Sequence, residues 1–562
     1  MQRKLMVVLF LIGVGLLPTR LSFVSFVILL ALITWLSMGK RANPLRQFVW
    51  VYVVYFCGVI VVYQLAWFAR ARIAPVVILV LLAVAAAILL WLKRGHGPAA
   101  FDFRISSWLG ILAALGICCY INLPVLLHPS SAAVLQQAAR TNDDINHVTL
   151  VETDRQMQGY VYKASPGSAR LLDPRMVGYP QGWHMNGAVS ESFFVRLLGS
   201  DTVAHRLLSF LLYKTWWVFI ATFFVYECAL AAARTFFRQK SPGHIWLLGG
   251  GSFVLAAYLL VALYGYGFQN FIADTALFLA ALCLIAKVLR ARDSPEKRLG
   301  LLGLALVTVG IACVWVLPGA VAGLLLLVLV WYAWARDRGL LRVYDWALLA
   351  IAGLLALSQV YITWATIGTG QIDEGGAAPP LSSIGAIVFI VCALVLALVS
   401  PKVRKRYWLV FCLALASVEF LCLAAYQKVF LGKLSYYDVK LAFFAVIVTS
   451  AFVLALLSTR RVTGRHSLAL RIGAVVGYVI IVPLLLGLNL KRSAFPIKNG
   501  VSIQLTTARQ VLQAKDSNQG FVIYGVTKEE TYLATKLYSE VQPYDSPQRQ
   551  ALLNDLQNEI GQ

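Results

Sequence analysis

Apolar residues dominate this chain in long runs, broken at intervals by short polar connectors. Runs of about 17–25 residues match the length a helix needs to cross hydrocarbon, where backbone polar groups are satisfied only inside helices or closed barrels. The pattern predicts spans over 4–18, 21–38, 48–68, 74–92, 106–127, 207–232, 245–264, 270–289, 299–317, 319–335, 346–366, 382–399, 407–425, 440–458 and 472–490. The first pair is joined by the tight Pro18-Thr19-Arg20 turn, so Lys4 to Leu36 also reads as one long interrupted segment. A cleavable signal peptide fits less well, because a second apolar run follows at once without a cleavage site.

Two stretches depart from this pattern. Residues 128–206 form a long polar interruption, in which Leu135–Arg140 and Asp144–Gln158 read as helical and Ser165-Pro166-Gly167 and Asp173-Pro174 as turns. Residues 491–562 change character again: Gly520–Gly525 reads as a buried strand, Glu529–Val541 and Ser546–Ile560 as amphipathic helices. The expected fold is an all-α polytopic membrane protein of about 13–15 transmembrane helices, with a long extracytoplasmic loop and a small C-terminal α/β extracytoplasmic domain. Its parts are N-terminal helices (1–127), the loop (128–206), a second helical bundle (207–490) and the tail (491–562).

Charge adds an orientation. Basic residues cluster in alternate connectors, among them Lys40-Arg41, Lys93-Arg94, Arg234-Arg238-Lys240, Arg336-Arg338-Arg342 and Lys402-Arg404-Lys405-Arg406. With the predicted spans all of them fall on one side, which the positive-inside rule makes cytoplasmic. The protein is expected in the cytoplasmic (inner) membrane, with the 128–206 loop and the tail outside. Arg70 and Arg72 are an outside pair that runs against the trend. The net charge of +24 reflects these connectors and their contact with anionic lipids rather than nucleic acid, since the tail is nearly balanced with eight basic and seven acidic residues. All nine cysteines lie inside predicted spans, so neither a disulfide framework nor a thiolate metal site is implied.

Candidate chemistry concentrates on the outer side. Asp143, Asp144 and His147 lie at helical spacings of i, i+4 and i, i+3, so one face can present a carboxylate with an imidazole. That pairing suits a general base, or oxygen ligands for a divalent cation such as Mg or Mn; the alternative is a solvated loop in which Asp143 caps a helix. Tyr179-Pro180-Gln181-Gly182-Trp183-His184 is a compact aromatic turn, suited to a sugar face or to the membrane interface, with His184 offering a ring nitrogen. Arg206 at the start of the next span can clamp a phosphate or snorkel. Tyr436 and Lys440 sit at i and i+4 beside Tyr437, so a phenol and an ammonium can point at one anionic group. Asp274, Glu419 and Glu227 are acids within spans, where charge is expensive. No ligand spacing is diagnostic of a metal; Asp143, Asp144 and His184 are the residues that would hold one.

Taken in order, the outer Asp-Asp pair, the Tyr-Pro-x-Gly-Trp-His turn, the Arg opening the next helix and the later Tyr-Tyr-x-x-Lys element resemble the GT-C superfamily of membrane glycosyltransferases. Bacterial, especially actinobacterial-type, arabinofuranosyl- and mannosyltransferases of the cell envelope carry similar elements. The resemblance covers roughly residues 105–450 in architecture. It implies a polyprenyl-phosphate sugar donor and a glycan or lipid acceptor, used outside the cytoplasmic membrane in a single inverting displacement. It further implies that Asp143 or Asp144 deprotonates the acceptor, that Arg206 and Lys440 hold the departing phosphate, and that His184 and Tyr179 line the pocket. A transporter or flippase of lipid-linked glycans would explain the spans and the intramembrane acids but not the outer loop. A polyprenyl-diphosphate-glycan ligase or polymerase would use similar chemistry with a different donor.

Overall fold

The computed structural model describes residues 2–38, 41–92, 100–101, 108–162, 176, 178–236, 245–367, 381–399, 405–432, 435–458, 510–511, 531 and 533–537. They confirm an all-α multi-pass membrane protein: among the described residues, ten helices are long and apolar enough to cross a bilayer. The elements run α1 (Gln2–Gly15), α2 (Ser22–Ser37), β1 (Arg41–Ala42), α3 (Pro44–Phe68), α4 (Pro75–Leu92), β2 (Ala100–Phe101), α5 (Leu109–Ile121), α6 (Leu123–Leu127), α7 (Ser131–Ala138), α8 (Asn142–Met157), α9 (Gly182–Leu198) and α10 (Val203–Phe236). They continue with α11 (Ile245–Leu255), a π-helical turn over Ala256–Leu260, α12 (Val261–Gly265), α13 (Gln269–Arg290), α14 (Ser294–Val314), α15 (Val316–Arg336), α16 (Val343–Ile367), α17 (Ser383–Val399), α18 (Arg406–Phe430) and α19 (Tyr436–Ser458). The two-residue strands β1 and β2 pair in parallel.

The chain divides into two compact units. One comprises Met1–Trp108, Asn122–Trp216 and Gly500–Gln562; the other comprises Leu109–Ile121 and Trp217–Asn499. In the first unit, α1 and α2 are separate helices rather than one interrupted segment. The chain reverses after Gly15, and the Ser25 hydroxyl donates to the Gly13 carbonyl at 2.6 Å, pinning the two together. The predicted 106–127 span likewise breaks at Asn122. Pro124 supplies no amide donor and its ring cannot follow the preceding turn, so α6 starts afresh there.

The expected loop 128–206 is largely helical where it is described. α7 and α8 sit close to the predicted helices, but α9 occupies a stretch expected to be turn and loop. α9 packs against α2, α3, α4 and α8, and this contact surface rather than its own polar-rich sequence stabilises it. Of the expected α/β tail, residues 531 and 533–537 are helical, within the predicted Glu529–Val541 helix. The strand at Gly520–Gly525, the helix at Ser546–Ile560, the span at 472–490 and the turns at 165–167 and 173–174 lie outside the described residues.

In the second unit, α13 is buried at nearly every position. A helix buried on all sides sits inside a bundle. α16 is the opposite case: it exposes Leu354, Leu357, Tyr361 and Trp364, an apolar face of the kind lipid solvates. The α14–α15 hairpin turns on Trp315, whose backbone is extended, and brings Gly319 against the backbone of Ala312. A methyl at 319 would stand 2.7 Å from the Ala312 Cα. Gly319→Ala should therefore force the hairpin apart and cost about 1–3 kcal/mol, read as a lower melting temperature in detergent; an unchanged melting temperature would show that the hairpin relaxes freely.

Candidate functional site

In the first unit the predicted carboxylates open α8. The cap is Thr141, not Asp143: Thr141 is extended, and its hydroxyl accepts from the Asp144 amide at 3.1 Å. This correction follows from reach, because the hydroxyl that meets the third helical amide belongs to the residue three positions before it. Asp143 and Asp144 thus fall in the first turn, where the helix dipole favours negative charge.

The two aspartates have different surroundings. Asp143 is half-buried, whereas Asp144 is 0% exposed and forms a 3.1 Å ion pair with Lys214 of α10, also 0% exposed. Asp144 accepts in addition from the Arg140 amide at 3.2 Å, and Lys214 donates to the Ala138 carbonyl at 3.2 Å. A buried ion pair offsets its desolvation only when such further hydrogen bonds complete it. A second cation reaches the same turn, since Lys536 donates to the side-chain oxygens of Asn142 at 2.7 Å and Asn146 at 2.5 Å. Neither lysine was singled out from the sequence. Lys214 carried a signal, being a charge inside an apolar run; Lys536 carried none.

One turn further, the His147 Nδ1 and His184 Nε2 stand 2.8 Å apart, so one ring donates and the other accepts. His184 sits in the first turn of α9, which brings the aromatic turn onto α8. Trp183 and Tyr179 surround the pair, with ring centroids 5.7 Å and 6.0 Å from His147. Tyr213 of α10 locks the arrangement by donating to the Trp183 carbonyl at 2.7 Å. Burial, and then the neighbouring His147, push the His184 pKa well below the usual imidazole value; a backbone contact with Pro180 opposes them. The unfolded chain takes up a proton below about 6.5 and the folded His184 does not, so stability should fall as pH drops through that value towards the depressed folded pKa. Thermal unfolding between about pH 7.5 and about pH 5.5 should show a loss of up to about 1.4 kcal/mol per pH unit that His184→Gln flattens; an equal slope in the variant would rule His184 out as its source.

Arg206, expected to clamp a phosphate, is held by acids. Its guanidinium pairs with Glu152 at 3.0 Å and Asp201 at 3.3 Å. Arg155 joins the same network through Glu152 at 2.7 Å, Glu191 at 3.1 Å and Asp201 at 3.0 Å. Burial pushes the Glu152 carboxyl up, but the two arginines outweigh it and hold it well below the usual carboxylate range. Glu191 goes the other way, raised by burial and by the charge on Glu152. Burial also raises Asp154.

In the second unit, Lys440 is 5% exposed and lies within an aromatic box. Its ammonium stands 4.0 Å from the Tyr436 ring centroid, 4.1 Å from that of Phe268 and 5.4 Å from that of Tyr437. The predicted i, i+4 pair is thus a cation–π contact, and the Tyr436 face rather than its hydroxyl meets the charge. Asp274 of α13 is fully buried, with neither carboxylate oxygen hydrogen-bonded to a described residue, and Glu419 of α18 is close enough to act on it electrostatically.

Asp143, Asp144 and His184 do not fit a metal site. Asp144 is engaged by Lys214 and His184 by His147, and among the described residues no group of three or more His, Cys, Asp or Glu side chains could hold an ion. Compared with known proteins, the chain matches no family model, no curated protein and no solved structure.

Proposed function

We propose that the chain is an inverting glycosyltransferase that moves a sugar from a polyprenyl-phosphate donor to a cell-envelope glycan or lipid acceptor on the outer face of the cytoplasmic membrane. The observation that carries this reading is the first turn of α8, where Asp143 is half-buried and within reach of a substrate beside the fully buried Asp144. Asp144 is tied to Lys214 and to the Arg140 amide, so its role is to fix the turn. Asp143 is the carboxylate that takes the acceptor proton. Lys440, set among the Phe268, Tyr436 and Tyr437 rings, is the cation that the family resemblance assigns to the donor phosphate. Arg206, held by Glu152 and Asp201, is a positioning residue in this reading. The extracytoplasmic α/β tail belongs to the same proposal, with Lys536 as its contact to α8.

A transporter or flippase of lipid-linked glycans is the second reading, favoured by the buried Asp274 beside Glu419 among the membrane helices. Purified protein in proteoliposomes, given a panel of radiolabelled polyprenyl-phosphate sugars and envelope glycan acceptors, separates the two. Covalent transfer by the wild type supports the transferase. Movement of the labelled lipid between leaflets without covalent product would replace it with the transporter.

A further inference from the structure

The first unit holds a cavity of about 550 Å³ lined from the α1–α2 turn, the start of α4 and the ends of α8 and α9. Its wall takes in Arg20 from the α1–α2 turn, Arg155 from α8 and Arg196 from the last turn of α9, together with Ser192 and Asp201. Three guanidiniums thus converge on one polar space against a single carboxylate. That carboxylate is already neutralised, since Asp201 pairs with both Arg155 and Arg206. Arg155 is likewise held by its acids, Glu152 and Glu191.

Arg20 and Arg196 differ from the buried arginines. Both are exposed, and neither side chain makes a hydrogen bond or ion pair with any described residue. An Nη1 of Arg20 lies 3.8 Å from where a Cβ on Gly199 would stand; Gly199, at φ +76°, ends α9 in the left-handed region and leaves that space open. The helix dipole accounts for Arg196 at the end of α9 but not for the arrival of Arg20 from another hairpin. Two guanidiniums that line one cavity without an acid of their own offer an anion a place to bind.

We infer that this cavity is a phosphate-binding site, taking a phosphate monoester or diester between Arg20 and Arg196 with the Ser192 side of the cavity beneath. Guanidinium matches phosphate oxygens bidentately, and the space is larger than one phosphate needs, so the group arrives with a substituent. The site lies at helix ends, the level of lipid headgroups in a bilayer. It is independent of the transferase reading and involves neither Asp143 nor Lys440.

The test uses the full chain in phosphatidylcholine nanodiscs with two probes. Inorganic pyrophosphate, titrated by calorimetry, represents a soluble phosphate; phosphatidylglycerol, followed by native mass spectrometry through delipidation, represents a headgroup. Loss of a charge-assisted contact is worth about tenfold in affinity, so Arg20→Gln with Arg196→Gln should weaken at least one probe by about tenfold or more. Arg70→Gln with Arg72→Gln, which removes outer charge that does not line the cavity, should leave both probes within about twofold. Loss of pyrophosphate alone identifies a soluble phosphate ligand, and loss of phosphatidylglycerol alone a lipid. The inference is overturned if the wild type binds neither probe, if the cavity variant binds both as the wild type does, or if the Arg70 and Arg72 control loses as much. Should the double variant melt lower than the wild type, the single Arg20→Gln and Arg196→Gln variants decide by the same criteria.

Discussion

Lys214→Met should lower the stability of the protein by about 3–5 kcal/mol, because it leaves the Asp144 carboxylate buried without its charge partner. Methionine keeps the length and most of the volume of the lysine stem, so lost packing contributes little. The Ala138 carbonyl loses a donor at the same time, which adds to the effect. Asp144→Asn combined with Lys214→Met should recover a large part of the loss, since the uncompensated charge is then gone. Melting temperatures of the wild type, both single variants and the double variant in one detergent give the coupling energy. Additive effects would show that the 3.1 Å contact carries no net interaction.

The second large effect concerns turnover. With the proposed transfer reaction established, Asp143→Asn should reduce its rate by about 10²–10⁴-fold, the range expected for loss of a positioned general base. Its melting temperature should stay close to that of the wild type, because Asp143 is half-buried and Thr141, not Asp143, supplies the cap. Asp144→Asn should behave differently, losing stability along with activity. The two positions are adjacent in sequence but not in role, and the pair of measurements separates a residue that acts on substrate from one that holds the turn. Full transfer by Asp143→Asn, with a stable but inactive Asp144→Asn, would exchange the two assignments.

Much of the helical framework is legible in the pattern of apolar runs. The helices over Pro44–Phe68, Pro75–Leu92 and Ser383–Val399 sit within a few residues of their predicted bounds. A segment that must satisfy its backbone in hydrocarbon has little choice but to be helical, so length and apolarity suffice. Local chemistry was legible too: Asp143, Asp144 and His147 stood out as polar groups at helical spacing, and His184 as the end of an aromatic turn, beside so much apolar sequence. α9 was not legible. Its start reads as the aromatic turn over Tyr179–His184 inside a long loop, and contact with α2, α3, α4 and α8 makes it a helix. Partnerships were hidden for a related reason. Asp144 meets Lys214 across 70 positions of chain, Asn142 meets Lys536 across 394, and Arg206 meets Glu152 from a different helix. Spacing along one helix reveals which side chains share its face; which charge those side chains meet is settled by how the helices pack. The Asp144 and Arg206 assignments turned on that packing, because burial makes an unpaired charge so costly that each is fixed by the partner the fold brings to it.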